Sequence, residues 1–439
     1  MHPLVSVRGG LLLRATPLFS LASSAFVSAP RSAVIFCFVS APRSVVTSTH
    51  SLAFIGKRTS TCSFHRYQTT ATKTTLASVH NMDSSAYWNR ENSKHGEGNV
   101  GEIVKDARIV CLSDPDDKDN QALYVGGNNL PEGSSVLAVG ATLDDFDLAA
   151  LKEAQPNVVF VSHPKARGPL PDLLEALPTV DWVHVRSAGI DAFTSDKLST
   201  ITAQNNITVT NAKGCFSSTL AEYTMMACSY FAKDLPLLLK NKKAKNWHRY
   251  NVLELRGATM GIIGYGDIGM ACAKLAYCYG MEVLALRRDP TKSKDDPYVK
   301  ECMGLDRLNE LMAKSDYILV AAPLTEDTRG LVSAEAISHS KKDAVIINVG
   351  RGPIIDEDAM IEALQSGALK GAGLDVTTIE PLPKESPLWE LDNVLLSPHN
   401  MDATAHFCKE ACEMMVYENL PRYVRGKALL NPVDVKAGY

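Results

Sequence analysis

The first 82 residues contain no aspartate and no glutamate; Asp83 is the first acid of a 439-residue chain. The same stretch carries eight basic residues (Arg8, Arg14, Arg31, Arg43, Lys57, Arg58, Arg66 and Lys73) and is rich in Ser, Thr and Ala. That composition is the mark of an organellar transit peptide, so residues 1–82 read as a targeting presequence. A near-repeat, FVSAPRS at 26–32 and 38–44, shows no fold-like period. The leader also lacks a membrane span. Its apolar run from Leu11 is cut by Arg14 and Pro17, far short of the roughly 20 apolar residues that cross a bilayer. The destination stays open between plastid and mitochondrion, with a disordered extension as the plainer alternative. A CxxC pair is missing too. The ten cysteines are scattered, and Cys408 and Cys412 have no second pair to complete a metal set. The expectation is no metal and reduced thiols, with Cys272 and Cys278 packing inside a helix. Beyond residue 82 the chain has no basic excess. Its 37 basic residues face 49 acidic ones, which argues against nucleic acid as a partner.

What the chain does have is an alternation of short apolar runs and helical stretches. After a polar linker at 83–102, runs at 108–112, 135–139, 158–161, 182–185 and 207–209 suggest one parallel α/β sheet. Helical patterns at 143–154 and 170–177 separate them, and a long helical pattern covers 217–245. A second series at 260–263, 283–286, 317–321, 344–349, 371–374 and 394–396 suggests a doubly wound sheet of about six strands. Residues 403–424 are helical in pattern and are expected to return to the first sheet. A short tail with Pro421 and Pro432 follows.

The first strand of the second series runs into Gly264-Tyr265-Gly266-Asp267-Ile268-Gly269 and then a helical run at 270–279. Strand, glycine turn and helix in this order suit a dinucleotide. The first Gly makes the turn, the second admits the diphosphate, and the third lets the helix approach the strand. At the end of the next strand, where an NAD site commonly has Asp or Glu, stand Arg287 and Arg288, with Lys292 and Lys294 nearby. Guanidinium groups there suit a 2′-phosphate, so NADP is expected ahead of NAD. Asp289 is the one acid able to turn inward instead.

Arg351, Asp375, Glu380 and His399 each follow a strand of the second series. Ligands bind beyond the carboxyl ends of such strands, so these side chains can converge. Histidine can hand a proton to a developing alkoxide, a carboxylate can fix its ring, and arginine can grip a 2-oxo acid and polarise its carbonyl.

The chain resembles the D-isomer-specific 2-hydroxyacid dehydrogenases over about residues 105–430. The resemblance rests on Val185-Arg186-Ser187-Ala188-Gly189-Ile190-Asp191, the glycine turn, Ala322-Pro323-Leu324-Thr325, Asn348-Val349-Gly350-Arg351-Gly352, Glu380-Pro381-Leu382-Pro383 and Ser397-Pro398-His399. It implies two Rossmann-like domains with a cleft between them. The substrate domain would be flavodoxin-like, from 103–215 and 403–439, and the dinucleotide-binding domain would be 216–402. It implies a catalytic Arg351, Glu380 and His399. A carboxylate-binding turn would fall at Ser187, Ala188 and Gly189, and Asp375 would lie near the nicotinamide carboxamide. Cofactor contacts would also come from Tyr265, Asp267, Ile268, Ala322, Pro323, Val349, Gly350 and His399. Glu380 disfavours formate dehydrogenases, which use Gln, and the 40 residues after His399 leave no room for a phosphoglycerate dehydrogenase regulatory domain. The pattern looks most like glyoxylate/hydroxypyruvate reductases; the alternatives are a D-lactate or other 2-oxo acid reductase, or a corepressor-like nucleotide sensor. A homodimer is implied through 217–250, with Trp247 in the arm. Asn400-Met401-Asp402 departs from the small or apolar residues usual after the histidine.

Overall fold

A computed structural model describes residues 101–439 apart from 121–122, 124–129, 163–164, 167, 191–192, 194 and 439. The leader at 1–82 and nearly all of the linker at 83–102 therefore lie outside the described residues, as do Asp191 and part of the loop at 162–167.

The first sheet is built from β1 (Ala107–Leu112), β2 (Ser134–Gly140), β3 (Val158–Val161), β4 (Trp182–Val185), β5 (Thr208–Asn211) and β13 (Pro432–Val433). Its order is β2-β1-β3-β4-β5-β13, parallel except for the last pair. This is the flavodoxin-like order, with its switch point between β1 and β3. β3 and β4 are buried along their whole length, which is why they read as unbroken apolar runs.

The second sheet contains β6 (Thr259–Ile263), β7 (Glu282–Leu286), β8 (Glu301–Met303), β9 (Tyr317–Val320), β10 (Val345–Asn348), β11 (Gly371–Leu374) and β12 (Val394–Leu396). All its pairs are parallel, in the order β12-β11-β10-β9-β6-β7-β8. That is the doubly wound arrangement, and its crevice opens where β6 meets β9. The sheet has seven strands, not six: β8 is a three-residue edge strand that leaves too short a pattern to read.

Two helical expectations are corrected. The long pattern at 217–245 is two helices, Ser217–Ala232 and Leu235–Lys243. Asp234 between them takes a left-handed backbone and caps the second helix through its side chain, and Pro236 sits in that helix's first turn. A proline is tolerated there because its missing N–H has no helical partner to lose. Pro421 likewise lies in the helix Leu420–Val424, not in a tail, just after a π-helical segment, Met415–Asn419. Among the thiols, Cys272 is buried but Cys278 is exposed, since it lies on the outer side of its helix.

The terminal helical segment does return to the first sheet. Met415, Val416, Leu420 and Tyr423 share a core with Ile109, Phe160 and Trp182. The helix Ser217–Ala232 bridges the halves. Phe216 at its start packs against Phe407 with the rings tilted, while Phe231 at its end packs against Gly371 of β11. No helix among the described residues is long and apolar enough to cross a membrane.

Candidate active site

The glycine turn lies where the sheet order reverses, and its geometry explains its residues. Gly264 has φ +97°, and a Cβ there would stand 2.4 Å from the Ala322 backbone nitrogen. Only glycine lets β6 run this close to the end of β9. A Cβ on Gly269 would press the Gly264 carbonyl at 2.5 Å, which is the close helix–strand packing expected of the third glycine. Gly266 is different. A side chain there would meet nothing within 4 Å, and the residue faces a cavity.

That cavity, about 690 Å³, is ample for a small-molecule ligand. Gly264, Tyr265, Gly266, Asp267 and Ile268 form one wall. Arg287, Arg288, Asp289 and Lys292 form its far end, and Ala322, Pro323, Val349, Gly350 and Arg351 close the other side. The residues fit a dinucleotide: an open glycine turn, a helix N-terminus for the phosphates, and cations at one end. Arg287 is half-buried; it donates from Nη1 to Ser293 Oγ, and its N–H is bound to the Met303 carbonyl at 3.0 Å. Asp289 accepts from Thr291 N at 3.1 Å, capping the turn Pro290–Ser293. Its carboxyl is held below the usual range by those Thr291 contacts.

Of the remaining candidates Arg351, Ala188 and Gly189 line the cavity, whereas Ser187, Asp375, Glu380 and His399 lie outside its lining. His399 Nδ1 lies 2.8 Å from Glu380 Oε2, with both side chains 38% exposed. A carboxylate can only accept, so Nδ1 carries the hydrogen and Nε2 is left for a ligand. Glu380 is itself fixed by Thr377 N, 3.0 Å from Oε1. His399 has φ +51°, an uncommon conformation for a non-glycine residue. Buried Asp375 holds it. The His399 N–H donates to the Asp375 carbonyl at 2.9 Å. Asp375 Oδ1 accepts from Ser397 Oγ (2.9 Å), Asn400 N (3.1 Å) and Met401 N (3.3 Å). The structure thus gives Asp375 the work of clamping the histidine loop. Arg351 donates to the Gly350 carbonyl at 2.8 Å and lines the cavity. Gly352 beside it has no room for a Cβ, which would fall 2.0 Å from the Thr377 carbonyl carbon. That close approach brings the arginine loop against the glutamate loop. Burial pushes the Asp402 carboxyl up, nearby Asp375 adds to this, and His399 and Arg351 oppose it. One carboxyl therefore feels both the histidine and the arginine.

The turn at 187–189 faces this site from the first sheet. Ala188 and Gly189 line the cavity. Its carbonyls are all engaged: Ser187 O by Ala212 N at 3.1 Å, Ala188 O by Asn211 Nδ2, and Gly189 O by Ser187 Oγ at 2.6 Å. What the turn has to offer an anion is its N–H groups. Arg186 anchors it by donating to Asp117 Oδ2 and Asn120 Oδ1, both at 2.7 Å. Asn120 in turn bonds Ser113 and Ser162 at the switch point of the first sheet.

Sequence reasoning missed several cavity residues: Asn211 at the end of β5, Lys213 just beyond it, and Asn431, Pro432 and Val433 of the tail. The tail carries no motif.

Comparison with known proteins agrees with this arrangement. Residues 225–400 match the family model of the D-isomer specific 2-hydroxyacid dehydrogenase NAD binding domain. A glyoxylate/hydroxypyruvate reductase B from Yersinia enterocolitica is 35% identical over 267 residues, 60% of this chain and 79% of that protein. A D-3-phosphoglycerate dehydrogenase from Methanocaldococcus jannaschii is 33% identical over 69% of this chain, which spans only 56% of that protein's length. A D-isomer specific 2-hydroxyacid dehydrogenase from Xanthobacter autotrophicus Py2, solved with NADPH and MES, superposes with a TM-score of 0.63. It is 30% identical, and the match covers 76% of this chain and all of that one. The glycine-turn cavity, the histidine–glutamate pair beside it and these relatives together show that the chain belongs to the D-isomer specific 2-hydroxyacid dehydrogenase family, as an NAD(P)-dependent enzyme.

Proposed function

We propose that the protein reduces glyoxylate to glycolate, or hydroxypyruvate to the D-2-hydroxy acid, with NADPH as the preferred reductant. The observation that carries this reading is the His399–Glu380 pair at 2.8 Å beside a cavity walled by the glycine turn and Arg351. A nicotinamide held against the glycine turn would supply the hydride for the 2-oxo carbon. The chain does the rest. The N–H groups of the 187–189 turn hold the substrate carboxylate, and Arg351 grips it and polarises the carbonyl. His399, its ring fixed by Glu380, gives its Nε2 proton to the oxygen as negative charge develops there. Asp375 and Gly352 set the loops at the spacing this requires. NADPH preference is supported by Arg287, Arg288 and Lys292 at the far end of the cavity, and by the NADPH in the Xanthobacter relative.

Purified protein assayed with glyoxylate, hydroxypyruvate and pyruvate, each with NADPH and NADH, tests the reading. Turnover should be fastest with the first two acids and NADPH. No turnover of any 2-oxo acid would overturn it; preference for pyruvate would replace it with a D-lactate-forming reductase.

We further propose that the enzyme is a homodimer and, from the composition of residues 1–82, an imported protein. Leu238, Leu239, Val252, Leu253 and Trp247 are exposed along the arm, an apolar strip that a second copy would cover. Light scattering checks the first point. Fusing residues 1–82 to a fluorescent protein checks import, with diffuse cytosolic signal as the contrary result.

A further inference from the structure

Lys213 Nζ lies 3.2 Å from Asp267 Oδ2, and both residues line the cavity beside the glycine turn. The two come from opposite walls. Asp267 opens the helix that follows Gly266. Lys213 belongs to the segment leaving β5 of the first sheet, and its backbone is pinned at both ends. Its N–H donates to Asn211 Oδ1 at 3.2 Å, and its carbonyl accepts from Asn431 Nδ2 at 2.8 Å. The side chains are 55% and 39% exposed, so the pair adds little to stability.

Asp267 poses an electrostatic problem. A helix N-terminus next to a glycine turn attracts the diphosphate of a dinucleotide, yet the first residue of this helix is itself an anion. An uncompensated carboxylate there repels the phosphates. Building on the dinucleotide reading above, we infer that Lys213 is a cofactor-binding residue supplied from across the cleft. Its ammonium neutralises Asp267 and is shared with the diphosphate when the nucleotide enters. Lysine has three donors on a flexible stem, so it can bridge two anions without a fixed fork. The ammonium thus comes from the first sheet, while the glycine turn that would face the diphosphate belongs to the second.

The test measures binding of NADPH, NADH and adenosine 2′-monophosphate to the unsubstituted protein and to Lys213→Met, Lys213→Arg, Asp267→Asn and the double variant. Lys213→Met should weaken NADPH and NADH alike, by about tenfold, and leave adenosine 2′-monophosphate unchanged because it has no diphosphate. Lys213→Arg should keep most of the affinity. In the Asp267→Asn background the loss from Lys213→Met should shrink to a few-fold, because the stranded carboxylate is gone. Unchanged NADPH affinity in Lys213→Met, or an equal loss in both backgrounds, would overturn the inference. A loss that extends to adenosine 2′-monophosphate would also overturn it, since it would mean general disruption. If the unsubstituted protein binds no nucleotide, the proposed function falls along with it.

Discussion

Replacing Arg287 by Asp should reverse the cofactor preference. The guanidinium stands at the end of β7, half-buried and oriented by Ser293, at the cationic end of the cavity. A 2′-phosphate there would accept hydrogen bonds from it, each contributing roughly 1.5–3 kcal/mol when both partners are charged. Substitution by Asp removes these bonds and places a negative charge against the phosphate. Arg288 and Lys292 stay to offset part of the loss. A net cost of about 3–4 kcal/mol follows, or roughly 10²–10³-fold in kcat/KM for NADPH. NADH has no phosphate at that position, and a carboxylate can accept from its ribose hydroxyls. Its kcat/KM should change by less than about tenfold. Steady-state rates with saturating glyoxylate and varied cofactor give both numbers. An unchanged NADPH/NADH ratio would refute the assignment of this end of the cavity to the 2′-phosphate.

Three further outcomes are expected. His399→Ala should lower kcat by about 10²–10⁴-fold while the NADPH dissociation constant, read by fluorescence titration, stays near that of the parent. A near-normal kcat would remove His399 as the proton donor. Gly264→Ala forces a Cβ to 2.4 Å from the Ala322 backbone at a φ of +97°. It should lower stability by about 2–4 kcal/mol in urea melts and abolish nucleotide binding. His184 is fully buried, bonded through Nδ1 to Thr210 Oγ1, and burial pushes its imidazole down from 6.5 to about 3. The depressed folded value means the unfolded chain binds the extra proton between these limits. Stability is therefore full above about pH 6.5 and falls as the pH drops toward 3. From this residue alone the loss between pH 7 and pH 5 is about 2 kcal/mol. A His184→Gln variant with the same pH slope as the parent would show that another group dominates.

Much of the second sheet was legible because its strands are buried on both faces and so form unbroken apolar runs. β10 and β11 are buried throughout. β8 was not, because Glu301-Cys302-Met303 is a partly exposed edge of three residues. The break at Asp234 had a signal, Asp-Leu-Pro, that the surrounding helical period masked. Site residues that follow a strand and carry a motif, such as Arg351 and His399, could be found because local order puts them at the sheet's carboxyl end. Lys213 and Asn431 could not. Their places in the cavity depend on one segment meeting another about 220 residues away, and nothing local in either records that meeting. Asp375 was found but its work was not visible, because the groups it clamps are defined only once β11 and β12 are paired.

The return of the last helices to the first sheet has a consequence for synthesis on the ribosome. Every strand of the second sheet lies between residues 259 and 396, though its core also takes in Ala411 of the C-terminal helices. The first sheet has all five of its parallel strands by residue 211. Even so, Ile109, Phe160 and Trp182 wait for Met415, Val416, Leu420 and Tyr423 to cover them. The gap from 211 to 412 is about 200 residues, which at roughly 5–20 residues per second leaves that apolar face bare for about 10–40 seconds. Both cores therefore wait for the same C-terminal helices: Ala411 for the second sheet, and Met415, Val416, Leu420 and Tyr423 for the first.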